Sequence, residues 1–104
     1  MNTIIMQGTT PVFSFTLPFE SAQVESFFLT FRQGKETVVE KKLTDCEREE
    51  YGLSVTLSQE DTFLFKSRTP ISMQVRLTDK AGAAFASPVF SLRAEKALKG
   101  GMIV

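Results

Sequence analysis

The chain has 104 residues, 42% of them hydrophobic and 23% charged, with twelve bases balancing twelve acids. This is one domain's worth of an ordinary globular protein, and its zero net charge argues against the basic surplus that general nucleic-acid binding or polybasic membrane binding needs. One Cys and no His exclude an internal disulfide framework and the usual zinc, iron and copper ligand sets.

From the N-terminus, Ile4-Ile5-Met6 is a short apolar stretch broken by Gly8-Thr9-Thr10-Pro11. Val12 to Leu17 alternates apolar and polar residues, with Phe13, Phe15 and Leu17 on one face. Strand side chains point to opposite faces with period two, so such alternation predicts a strand with one dry and one wet face. Pro18 cannot donate to a ladder and ends it. A second strand is expected from about Val24 to Arg32, with Phe27, Leu29 and Phe31 on one side and Phe28 and Thr30 on the other. Gln33-Gly34-Lys35-Glu36 predicts a hairpin turn. Thr37 to Leu43 returns as a strand in which the polar Lys41 falls between Val39 and Leu43. An inward-pointing Lys is a device of edge strands, where it discourages further pairing.

Asp45 to Glu50 is charged and is expected to form a solvated hairpin tip, leading through Tyr51-Gly52 into a strand from Leu53 to Leu57. Ser58-Gln59-Glu60-Asp61 has a capping Ser followed by acids at the positive end of a helix dipole. It predicts one or two helical turns through Lys66, with Phe63 or Leu64 over the open end of the fold. Ile71 to Leu77 is the cleanest alternating run, Asp79 to Gly82 turns the chain, and Ala84 to Ala94 is a final strand bent at Ser87-Pro88. Glu95 to Val104, with Gly100-Gly101, is expected to be a loose tail. The elements predict an all-β, immunoglobulin-like antiparallel β-sandwich of about seven strands with one short helical turn, one domain over residues 1–94 and a tail over 95–104. The disulfide and buried Trp of antibody domains are absent.

No constellation of residues carries chemistry. Asp45, Glu47, Glu49 and Glu50 lack the spacing of a calcium loop. Cys46 has no His to serve as its base. Gly8-Thr9-Thr10 and Gly100-Gly101 lack the Lys-Ser or Lys-Thr of a phosphate-binding loop and are taken as hinges. Ten Phe, one Tyr and no Trp describe core filling, since Phe has no polar handle. The expectation is therefore a protein that is not an enzyme and has no catalytic, metal or cofactor residues. Phe28 and Thr30, opposite the buried face of their strand, and Lys41 on the edge strand are the candidate protein-contact residues. No basic leader followed by an apolar stretch is visible, and no apolar run nears the roughly 20 residues of a membrane span. Synthesis in a bacterial cytoplasm without membrane association is expected.

Gly8 to Pro18, Phe28-Leu29-Thr30-Phe31-Arg32-Gln33-Gly34, Leu53 to Thr62, Val75 to Asp79 and Ala86 to Leu92 together resemble, in order and spacing, small proteins encoded among tail genes of Firmicutes phages and prophages. More loosely, they are similar to the immunoglobulin-like N-terminal domain of upper baseplate proteins. The resemblance implies a structural or adaptor role in a tail or baseplate, with other tail proteins or further copies of the chain as partners and the virion as a destination. It carries no catalytic residues. The alternative on the same scaffold is a carbohydrate- or surface-binding module, which the absence of Trp and the single Tyr disfavour.

Overall fold

Period-two alternation settles which side is dry in the central strands: Phe27, Leu29 and Phe31, and Ile71, Met73, Val75 and Leu77, are buried while the residues between them are not. The computed structural model describes residues 3–103. Its strands are β1 (Thr3–Met6), β2 (Val12–Thr16), β3 (Val24–Gln33), β4 (Glu36–Lys42), β5 (Cys46–Glu49), β6 (Gly52–Thr56), β7 (Pro70–Asp79), β8 (Ala84–Ala86) and β9 (Phe90–Glu95), with one helix, α1 (Gln59–Phe63), between β6 and β7. They form an all-β sandwich. One sheet has the order β1-β9-β7-β3-β4, with β8 also paired to β7, and the other has the order β2-β6-β5.

The core lies between the sheets. Phe27, Leu29 and Phe31 of β3, Ile71, Met73, Val75 and Leu77 of β7, and Leu53 and Val55 of β6 are all buried. The ring of Phe31 packs edge-on against both Phe13 of β2 and Phe65, with centroids 5.4 and 5.6 Å away. Each such buried side chain contributes roughly 1.5–3 kcal/mol through removal of apolar surface from water. The β3–β4 hairpin closes through Gly34 and Lys35, and the Gly34 φ of +62° supplies the left-handed first position of a two-residue turn. Buried Gln33 then ties this hairpin to the chain beyond α1: its amide donates to the carbonyls of Lys66 and Thr69 and accepts from the Lys66 N–H.

The structure departs from the expected architecture in four places. The sheet is mixed, because β1 runs parallel to β9, with Ile5 opposite Ala94 and buried; a three-residue apolar stretch is too short to announce a strand by periodicity. The described strands number nine rather than about seven, the six runs placed individually from sequence gaining three. One addition is β1, and another is β5, placed where a hairpin tip was expected: its charged residues pair with β6 as an exposed edge. The third arises at Ser87-Pro88, where the expected bend separates β8 from β9 while both stay paired to β7. Ser87 bridges the break, its Oγ accepting from the Val75 N–H and its own N–H donating to the Val75 carbonyl.

The fourth departure concerns α1. Ser58 caps it as expected: the Asp61 N–H donates to Ser58 Oγ at 3.0 Å and the Ser58 N–H donates to the Asp61 carboxylate at 2.9 Å. The helix ends at Phe63, however, and Leu64 is exposed, while Phe65 is the ring that fills the core. Gly8, expected as a hinge, is a packed turn. It has φ +80°, a Cβ there would sit 2.9 Å from the Phe63 ring, and its N–H donates to the buried Thr62 hydroxyl.

Candidate protein-contact site

Phe28 and Thr30 lie on the outer face of the larger sheet, in register with Lys42 and Glu40 of β4 and with Arg76 and Gln74 of β7. Phe28 is 39% exposed, and Thr30 donates to the Glu40 carboxylate at 3.1 Å. Lys41 does not join them. It pairs with Leu29, so it points to the inner face, where its ammonium sits 2.8 Å from Asp61. Partial burial opposes ionisation of Asp61, but the hydrogen bond from Lys41, those from the Ser58 N–H and hydroxyl, and the Lys41 charge outweigh it and hold the carboxyl below its ordinary value. The ion pair thus latches the β4 edge to the helix cap. The three residues assigned together from sequence occupy two faces.

Cys46, at the start of β5, is half-buried, and burial, with the nearby Asp45 charge, pushes its thiol up to about 11 against the opposing pull of Arg48. It is a protonated thiol at neutral pH. Among the described residues no cluster of three or more His, Cys, Asp or Glu side chains could hold a metal ion. None of the helices there is long and apolar enough to cross a membrane.

An apolar surface feature was not singled out from the sequence. Where β2 passes β7, β8 and β9 the two sheets part, leaving an apolar cleft of about 430 Å³ lined by Phe15, Phe19, Met73, Val75, Phe85 and Phe90 among others. Its physical origin is a mismatch in width. The rings of Phe13 and Phe15 lie against Phe31 and Phe27 of β3, so β8 and β9 extend beyond β2, and among the described residues the smaller sheet has no strand past β2 on that side. By register Phe85 faces the same way as Leu77 and Phe90 the same way as Met73, toward the interior. They are nevertheless 43% and 44% exposed. Phe19 closes one end, its ring 5.5 Å from that of Phe85.

The backbone beside the cleft is also incomplete. Leu57 donates to the Pro11 carbonyl and Leu17 to the Tyr51 carbonyl, so the odd-numbered residues of β2 face β6. The N–H and C=O groups of Val12, Ser14 and Thr16 face away, and among the described residues no strand pairs with that side. In an immunoglobulin-like sandwich the three-stranded order seen in β2-β6-β5 is flanked by the first strand of the chain; here the first described strand, β1, has joined the opposite sheet instead. The sequence did hold one signal, the wholly uncharged polar face of Val12-Phe13-Ser14-Phe15-Thr16, which is unusual for an edge.

Comparison of the chain with protein-family models, with curated proteins and with solved structures returns no match in any of the three.

Proposed function

We propose that this protein is a non-enzymatic structural or adaptor component of a phage or prophage tail or baseplate, working through protein–protein contacts. The observation that carries the contact role is the unpaired edge of β2 running beside an apolar cleft of about 430 Å³. Unpaired ladder groups next to inward-facing Phe rings are what an added strand satisfies, through main-chain hydrogen bonds and pockets for alternate side chains. The outer face around Phe28 is a smaller, polar-rimmed surface and serves as a secondary contact. The placement in a tail rests on the resemblance of the strand and turn segments, and implies synthesis in a bacterial cytoplasm followed by incorporation into the particle.

The test is to induce a lysogen encoding the chain, purify its particles and quantify the protein by mass spectrometry. Stoichiometric presence is expected, in a copy number consistent with a ring or a decoration. Absence from intact particles, together with no affinity for any purified tail protein of the same phage, overturns the proposal.

A further inference from the structure

The cleft needs an occupant with a particular chemistry, and the chain itself contains one. β2 presents the backbone groups of three residues over a length of roughly 17 Å from Val12 to Leu17, enough for a six-residue strand. That strand needs small or apolar side chains on one face, no proline, and complementary charge where the edge is charged. The outer face of this sheet is acidic inward of Thr16, on the β6 side. Gly52 has no side chain, so the Glu49 carboxylate lies across it beside Thr16, an oxygen 3.9 Å from where a Gly52 Cβ would be. Glu20 follows directly on Phe19 and is exposed. Among the described residues neither acid is in an ion pair.

The segment after β9 reads Lys96-Ala97-Leu98-Lys99-Gly100-Gly101-Met102-Ile103. It has no proline and no acid, two lysines at its N-terminal half, and exposed Leu98, Met102 and Ile103. Laid antiparallel to β2 with Leu98 opposite Leu17, it places Lys99 opposite Thr16, on the outer face that Glu49 shares. Gly100 falls opposite Phe15, leaving space for that ring, Met102 opposite Phe13 and Ile103 opposite the exposed Val12. Leu98 and Met102 then enter the cleft, while the backbone groups of Lys99, Gly101 and Ile103 meet those of Thr16, Ser14 and Val12. Among the described residues the tail holds two exposed hydrogen bonds, between the Ile103 backbone and the Gln59 amide, and Gly100 and Gly101 can readjust to an extended path.

Resting on the reading of the cleft as a protein-contact site, we infer that its occupant is the 97–103 segment of a second copy of this chain, donated as a strand to β2. A symmetric pairing of two β2 edges is disfavoured, because β8 and β9 overhang on that side in both copies and would collide. Strand donation instead makes a head-to-tail contact, which closes into a ring or continues as a filament.

The test uses the full chain and two variants. L98D/M102D alters only exposed tail positions and removes the donor. Ser14→Pro removes an N–H that faces away from β6, so the native ladder is kept and the acceptor edge is blocked. Light scattering is expected to show concentration-dependent assembly of the native chain and monomers for each variant alone. Mixing the two variants is expected to give a species of twice the 11.6 kDa chain and nothing larger, since each supplies the half the other lacks. Independently of whether Ser14→Pro folds, amide exchange at Val12, Ser14 and Thr16 is expected to slow at least tenfold on concentrating the native chain and not to change in L98D/M102D. A native chain that stays monomeric, or an assembly that survives L98D/M102D, overturns the inference. So does a monomer whose β2 amides are protected in the native chain and exposed in L98D/M102D, which assigns the cleft to the chain's own tail. Assembly in solution with no incorporation into particles keeps the strand exchange and overturns the tail role.

Discussion

The two lateral sides of the sandwich are built on opposite terms. On one side the sheets end in β4 and β5, which carry Glu36, Glu40, Lys41 and Lys42 and then Glu47, Arg48 and Glu49. On the other they end in β1 and β2, which contain no charged residue. The charged side is also closed: Lys41 turns inward at the edge and is latched to Asp61 beneath the helix cap. The uncharged side is open, and inward-facing Phe85 and Phe90 there remain in contact with water. Charge on an exposed edge is the ordinary protection against further strand pairing. Its presence on one side and absence on the other distinguishes an edge that ends the sheet from an edge that is available to extend it.

The largest contrast between interior and open side lies in truncation of aromatic rings. Phe31 is fully buried and touches rings from β2 and from the segment after α1, so Phe31→Ala is expected to cost about 3–5 kcal/mol, a large share of the stability of a domain of this size. Phe90→Ala, on the open side, is expected to cost less than about 1 kcal/mol in the monomer. Urea denaturation of both variants checks the pair. A large loss at Phe90 would mean that the cleft is already filled.

Closure of the charged side also governs Cys46. Burial and Asp45 raise its thiol from an ordinary 9.0 to about 11. At pH 8 the reactive thiolate is therefore about a hundredfold rarer in the folded protein than in the unfolded chain, and alkylation by iodoacetamide is expected to slow by about that factor. The linkage sign follows: a raised thiol pKa contributes stability that is present below the unfolded value and is lost as pH rises through the folded one. Alkylation at the unfolded rate would show that the β5 edge frays.

These two sides differed in how legible they were. The strands that form the dry interior announced themselves, because Phe27-Leu29-Phe31, Ile71-Met73-Val75-Leu77 and Leu53-Val55 alternate with polar residues that meet solvent. The cap at Ser58 was equally legible, since its signal is local. β5 was hidden because an edge strand with little of its surface in the core needs no apolar period. β1 was hidden because it belongs to a parallel pair with β9, a partner 89 positions away at Thr3–Leu92. The cleft was illegible for a different reason. Phe85 and Phe90 carry the pattern of core residues, and their exposure depends on the relative widths of two sheets, which no local stretch encodes. Phe28, Thr30 and Lys41 were all assigned to protein contact, yet the register pairs Lys41 with Leu29 and Thr30 with Glu40, placing Lys41 on the face opposite the other two.

The cap on the closed side supplies a smaller effect. Ser58→Ala removes the acceptor for the Asp61 N–H and is expected to destabilise the protein by about 1 kcal/mol, read from the shift in the urea midpoint. The same loss should leave assembly through β2 untouched, since among the described residues Ser58 is hydrogen-bonded to neither β2 nor the tail and the Gln59–Ile103 bonds are given up when the tail is donated. A Ser58→Ala variant that loses stability and assembly together would join the two sides into one cooperative unit.

The smallest effect is the pH dependence of the latch. The Asp61 carboxyl is held below its ordinary 3.8 chiefly because Lys41 and Ser58 outweigh its burial. A depressed carboxyl contributes stability that is fully present above the unfolded value and is lost as pH falls through the folded one. The informative quantity is a difference between the native chain and a variant. Lys41→Met keeps the length of the side chain while removing the charge and the hydrogen bond at 2.8 Å. Below pH 4 the native chain and Lys41→Met should converge in stability, and above it the native chain should be the more stable. A constant gap across the window would mean that Lys41 holds the edge through its aliphatic stem alone, and that the β4 edge is closed by packing rather than by charge.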